Sequence, residues 1–309
     1  MRECGLRAVK QMKGSADSWD EIETFLDREA PTPFKMVVKP LDSCGSDGVY
    51  KCTSKEETKA ACEAIVGHCN ATGSFNSEVL VQEYLSGVEY VVDSVSRDGV
   101  HKVVAVWEYD KRAVNGAPFV YFGMRLMGPQ CPVAQKLISY MAGHGGVLDA
   151  LGFLNGPGHA EVKMEADGPC LVEVGARCHG WSGTWLSLVK ECLGPCNQVQ
   201  ATLDAYLDGE AFDKLPVAPE ELLKDGTCVM LVSREEGTLA SVATAMLEEL
   251  PSFHKAVLGH CQIGESFHKT VDLFTSPGQV LLASSDAKQL EADYARIHEM
   301  EEAGLFTLA

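Results

Sequence analysis

The chain has 309 residues, about two domains of ordinary size, and its 46% hydrophobic and 23% charged content supports packed cores and excludes wholesale disorder. A net charge of −18 argues against a broad nucleic-acid surface, and no apolar run approaches the roughly 20 residues needed to cross a bilayer. The opening MRECGLRAVKQMKG lacks the apolar core of a signal peptide, and twelve scattered cysteines without a CxxC pair point to reduced, mostly buried thiols in a cytoplasmic protein.

Trp19, Ile22 and Phe25 fall at helical spacing, predicting an amphipathic helix over 17–29 that the prolines of APTP stop. FKMVVKP at 34–40 and the glycine-containing LDSCGSDGVYKC after it read as strand, tight loop, strand. Ser54 with Glu57 forms a capping box opening a helix to about Gly67. Residues 77–112 alternate β-rich runs with turns at Ser86-Gly87 and Asp98-Gly99, which predicts an antiparallel meander. A helix is expected over 132–151. The stretch 158–177 holds two alternating strands joined by Ala166-Asp167-Gly168, a hairpin, and a helical stretch runs from Gly180 to about Leu207. The turn-rich 207–226 then leads to a strand at 227–233, a helix at 240–249, short strands at 269–283 and a helix at 286–303. The class is α+β, with antiparallel sheets and a smaller terminal domain.

Chemistry enters at Lys39, on the end of a buried strand before the loop Ser43-Cys44-Gly45-Ser46-Asp47-Gly48. An ammonium there can face phosphate oxygens cradled by loop N–H groups, although a surface hairpin has the same pattern. Glu161 and Glu173 lie on the two hairpin strands. If the turn aligns them, like charges oppose each other unless a cation intervenes, and Mg²⁺ with nucleotide phosphates suits such a pair; two solvated carboxylates are the plainer alternative. Arg177, four residues past Glu173, and His159, two before Glu161, extend an alternation of cation and carboxylate suited to a transferring phosphoryl group. A lone histidine is more often structural.

VVKP with its Ser/Gly loop at 37–48, VQEYLSGVEYVVD at 81–93, HAEVK at 159–163 and LVEVGAR at 171–177, in that order, resemble the ATP-grasp superfamily, in its L-amino-acid ligase and carbamoyl-phosphate-synthase-like branch. The resemblance covers about 1–210. It implies an ATP-grasp fold, with an N-terminal lobe at 1–84, a central lobe at 85–210 and a C-terminal α/β domain at 211–309. It also implies that Lys39 meets the inner phosphates and that Ser43, Gly45, Ser46 and Gly48 belong to a mobile flap. Gln82, Glu83, Tyr84 and Leu85 match the hinge at adenine, and Glu89 the acidic residue near the ribose. Glu161 and Glu173 match the Mg²⁺ carboxylates, Mn²⁺ being an acceptable substitute, while Arg177 stands at the position that holds the γ-phosphate or acyl phosphate and His159, a further catalytic candidate, resembles the ligase-branch histidine beside the metal strand.

The implied activity is ATP-dependent ligation of an amino acid or similar small carboxylate to an amine through an acyl phosphate, yielding ADP and phosphate. The implied partners are ATP and the two substrates, with no nucleic acid or membrane; a homodimer is compatible with the sequence. Two departures stand out. Gly175 occupies the position where many members carry a metal-ligating Asn, and the usual N-terminal domain does not precede the lobes. The alternative reading is therefore a truncated ATP-binding module without catalysis of its own. Trp107–Arg112 and Phe119–Arg125 resemble a segment between central strands whose ionic residues line an acceptor pocket and whose aromatics suit a core.

Overall fold

The computed structural model describes residues 1–259 and 261–309. The first lobe is β1 (Gln11–Ser15), α1 (Trp19–Glu29), β2 (Met36–Pro40), β3 (Tyr50–Cys52), α2 (Lys55–Ile65) and β4 (Glu78–Glu83). Its strands form an antiparallel sheet in the order β1-β4-β2-β3. Helix α1 buries Ile22, Phe25 and Leu26 and ends before Pro31, which has no N–H to continue it. The Ser54 hydroxyl accepts from Glu57 N–H at the start of α2, but the Glu57 carboxylate turns to Thr53 N (2.6 Å), one residue before the expected capping-box partner. Strand alternation decides the rest: Met36 and Val38 enter the core with Val79 and Val81, so Val37 and Lys39 point to the opposite face. Each such side chain contributes about 1.5–3 kcal/mol by burial, which fixes the register and hence the direction of Lys39.

The second body contains β5 (Val88–Arg97), β6 (Val100–Val114), β7 (Ala117–Leu126), α3 (Pro132–Ala142), α4 (Val147–Ala150), β8 (Gly156–Glu165), β9 (Gly168–Gly175), α5 (Leu186–Leu193), α6 (Gln198–Leu207) and α7 (Gly209–Lys214). The expected meander divides: β4 belongs to the first sheet, while β5, β6 and β7 are neighbours in the second. The expected helix over 132–151 is two helices, because Gly143-His144-Gly145-Gly146 interrupts it. Likewise 180–207 is a short 3₁₀ turn (Trp181–Gly183) and two helices separated at Gly194-Pro195.

The remaining elements are β10 (Asp225–Met230), β11 (Gly237–Val242), α8 (Thr244–Glu248), β12 (Phe253–Val257), β13 (Ser266–Phe267), β14 (Gln279–Ser284), α9 (Ala287–Glu302) and β15 (Phe306–Leu308). Strands β11, β13 and β15 form a small sheet in the order β13-β11-β15, while β10, β12 and β14 extend the sheet of the second body. Strand β10 pairs with β7, matching Thr227 to Arg125, so among the described residues one sheet runs β12-β14-β10-β7-β6-β5-β8-β9. Trp107 and Trp185 lie in one core on the cleft-facing side of this sheet. A second core, with Leu137, Met141 and Leu148, covers part of the opposite face. Five of the twelve thiols are buried and Cys4, Cys44 and Cys69 are exposed, so burial is less general than composition suggested; all twelve are free.

Candidate active site

A cleft of about 290 Å³ separates the two sheets. Val37 and Lys39 of β2 and Leu80 and Gln82 of β4 form one wall, because period-2 alternation turns them away from the core beneath. Glu89, Lys111, Tyr121, Glu161, Lys163 and Glu173 form the other. Tyr84 and Leu85 line the crossing between lobes, and Ser43, Gly45, Ser46 and Asp47 line it from the flap. Gly48 lies against Pro40 on the flap's outer side, off the cleft wall.

Strand irregularities aim the charged groups. Glu161 pairs with Glu173 but Val162 pairs with Leu171, so Val172 is an extra residue and both it and Glu173 line the cleft. A similar shift follows Asp110, where Lys111 pairs with Tyr121 and Phe122 is skipped. Lys39 Nζ donates to Glu173 Oε2 at 2.9 Å across the lobes. Lys111 pairs closely with Glu89 and lies 3.9 Å from Glu161, while Lys163 reaches Glu89 at 3.2 Å. Lys111 Nζ also stands 4.2 Å over the Tyr121 ring and 4.9 Å over that of Tyr109.

These carboxylates are not equivalent. Burial raises the Glu161 carboxyl to about 7; Lys111 opposes the rise, and the Glu89 and Glu173 charges reinforce it. Burial would raise Glu89 too, but Lys111 and Lys163 outweigh it and hold Glu89 well below the usual range. Glu173 is also lowered: burial is overcome by Lys39 and then Lys111. Glu161 is therefore the carboxylate that most lacks a cation. Oxygen donors on neighbouring strands suit a hard divalent ion such as Mg²⁺.

At the other end of the cleft, Tyr84 stacks near Phe119 (ring centroids 6.4 Å apart) and Lys51 lies 4.9 Å over its ring. Gln82 Nε2 donates to Gln11 Oε1 at 3.0 Å. The Glu83 carboxylate turns to the N-terminal segment, accepting from Lys10 N at 2.7 Å. The flap is bridged from outside: Leu273 N donates to Gly45 O at 3.2 Å. Gly45 has φ +68°, and a Cβ there would stand 3.1 Å from Leu273 Cβ, so a left-handed residue without a side chain is required.

The structure thus brings Lys39, the flap residues Ser43, Gly45 and Ser46, Gln82 to Leu85, Glu89, Glu161 and Glu173 to one cleft. His159 and Arg177 lie outside its wall: His159 is buried against Asp93, and Arg177 is exposed with Nη1 donating to Cys178 O at 2.9 Å. Glu89 sits in the ionic cluster with Lys111, Lys163 and Glu161. Lys163 and Gln11 went unassigned in the sequence. Lys163 was accessible to reasoning, being two residues past Glu161 on one strand face; Gln11 lies in a strand too short and polar to show a period.

Residues 32–185 match the family model described as ATP-grasp domain. The chain is 29% identical over 284 residues to dapdiamide A synthase of Enterobacter agglomerans, covering 91% of this chain and 65% of that protein. Among solved structures it superposes on L-amino acid ligase from Bacillus licheniformis with TM-score 0.73 at 18% identity, covering 96% of this chain and 68% of that one. N5-carboxyaminoimidazole synthase from Aspergillus clavatus, in complex with ADP and 5-aminoimidazole ribonucleotide, gives TM-score 0.67 at 12% identity, covering 97% and 70%. With antiparallel sheets gripping a lysine- and carboxylate-lined cleft, the fold is that of these proteins, and residues 32–185 form an ATP-grasp domain.

Proposed function

We propose that the chain is an ATP- and Mg²⁺-dependent carboxylate–amine ligase that acts through an acyl phosphate, releases ADP and phosphate, and joins an amino acid or similar small carboxylate to an amine. The observation that carries this reading is the gathering of three lysines, Lys39, Lys111 and Lys163, with three carboxylates, Glu89, Glu161 and Glu173, along a flap-covered cleft. Among the described residues the ion pairs of these charges are made within the set, and a metal–polyphosphate offers both signs new partners. The names of dapdiamide A synthase and L-amino acid ligase support the reaction class.

In this reading the lobe at 1–84 supplies Lys39 and the flap to the inner phosphates, and Tyr84 and Leu85 border the base. The lobe at 85–210 supplies Glu161 and Glu173, which would hold Mg²⁺; the ion, when bound, neutralises phosphate charge. The substrate carboxylate attacks the γ-phosphorus while Lys111 and Arg177 stabilise the spreading negative charge. The amine then attacks the acyl carbon and phosphate leaves. Acceleration comes chiefly from positioning, for which oriented reactants can supply about 7–11 kcal/mol.

Gly175 favours a second reading, a module that binds ATP without chemistry. The Arg177 side chain lies over the space where a Cβ at 175 would stand, 3.4 Å from its Cγ, so no side-chain oxygen is offered to a second ion there. The deciding experiment is a phosphate-release screen of amino-acid pairs with ATP and Mg²⁺, with nucleotides separated by chromatography and products weighed by mass spectrometry. ADP with a condensed product is expected. AMP would overturn acyl-phosphate chemistry, and tight ATP binding without turnover would favour the second reading.

A further inference from the structure

A buried polar hub lies beside the cleft. Asp93 of β5 is fully buried opposite His159 of β8. Its Oδ1 accepts from His159 Nδ1 at 2.9 Å, and its Oδ2 accepts from both His179 Nδ1 and Trp107 Nε1, each at 2.9 Å. Three N–H donors converge on one ionised carboxylate, which assigns the Nδ1 proton to both imidazoles. The His179 backbone is held as well: its N–H donates to Gln198 Oε1 at 2.7 Å, and Gln198 Nε2 donates to Gly158 O at 2.9 Å. His179 is thereby fastened to β5 through its ring and to β8 through Gln198.

Two residues earlier, Arg177 is exposed, and its side chain donates to the carbonyl of its own neighbour. That bond does not fix the turn relative to the sheet. The chain leaves β9 at Gly175, and His179 is the first residue after it anchored to the strands by both ring and backbone.

We propose that Asp93 and His179 are positioning residues: Asp93 holds the His179 ring, and His179 holds the 176–180 turn so that Arg177 is presented to the γ-phosphoryl group. This rests on the ligase reading. A transferring phosphoryl group is sensitive to small displacements of a stabilising cation, so the pair acts on turnover through Arg177 without touching the nucleotide.

The test is a double-mutant cycle of Asp93→Asn and Arg177→Ala, with kcat from phosphate release and Mg·ATP affinity from calorimetry. Each single variant is expected to lower kcat about tenfold or more, with ATP affinity changed less than about threefold. The double variant should be no slower than Arg177→Ala alone, because both changes remove one effect. Independent, multiplying losses, or an affinity loss equal to the kcat loss, would overturn the proposal. His179→Asn replaces Asp93→Asn if the latter does not fold. If the unaltered chain turns over no substrate pair, the ligase reading fails, and the anchor is judged separately by hydrogen exchange with Mg·ATP bound. Faster exchange at 176–183 in the variant, with β5 and β8 unchanged, supports it, and equal exchange overturns it.

Discussion

Lys39 Nζ lies 2.9 Å from Glu173 Oε2, and this ion pair joins the flap-bearing strand of one sheet to the edge strand of the other. Half of the Glu173 side chain is exposed (50%), so the pair contributes no more than about 1 kcal/mol to folding. Lys39→Ala should leave the circular dichroism spectrum and melting temperature nearly unchanged. Nucleotide affinity should fall by about ten- to a hundredfold, the loss of a charge-assisted contact to phosphate. Equal affinity in calorimetry would remove Lys39 from the site.

Glu161 links pH to both binding and stability. Its folded pKa, about 7, lies above the unfolded carboxyl value, so ionisation costs folding free energy at high pH and nothing once pH falls below the unfolded value. Glu161→Gln should therefore raise the melting temperature of the nucleotide-free protein at pH 8, by the equivalent of about 2–3 kcal/mol, and not at pH 4. The same variant should lose Mg²⁺-dependent nucleotide binding, which in the unaltered chain should strengthen between pH 6 and 8. A melting temperature equally low at pH 8 in both proteins would contradict the strained carboxylate.

Lys111 is the cation between Glu89 and Glu161. Lys111→Met should destabilise the fold by about 3–5 kcal/mol, because it leaves buried carboxylates uncompensated. Adding Glu89→Gln should recover part of that loss. Additive losses in thermal unfolding of the double variant would show that the two residues are not coupled.

Gly45→Ala places a side chain on a left-handed residue against Leu273. A strain of about 1–2 kcal/mol should shift the flap away from its bridged position and speed nucleotide release several-fold. Stopped-flow displacement of a fluorescent nucleotide measures it; an unchanged off-rate would mean that the flap does not gate release.

Much of this site was legible because it rests on strand alternation and turns. Lys39 beside Val38, and Glu161 facing Glu173 across an Asp-Gly turn, follow from a period of two. What alternation cannot show is a shift of register: the skipped Val172 and Phe122 are ordinary strand residues in the sequence. The Asp93 hub was hidden for another reason. Its members are 66 and 86 residues distant from Asp93 in sequence, and only the pairing of β5 with β8 and the fold of the 176–180 turn bring them together. In the C-terminal part, β11, β12 and β15 went unforeseen because strands of three to six residues carry too few alternations to register.

The pairing of β7 with β10 constrains how this protein can be cut and recombined. Removing residues 211–309 would strip the partner from β7 and leave buried apolar side chains of both its faces, Met124 on one and Val120 and Phe122 on the other, on a bare sheet edge. Such a fragment would present an aggregation template, however complete its nucleotide cleft. A chimaera that borrows its C-terminal part from a relative would have to keep Thr227 beside Arg125, since a one-residue slip exchanges the faces of every strand beyond it.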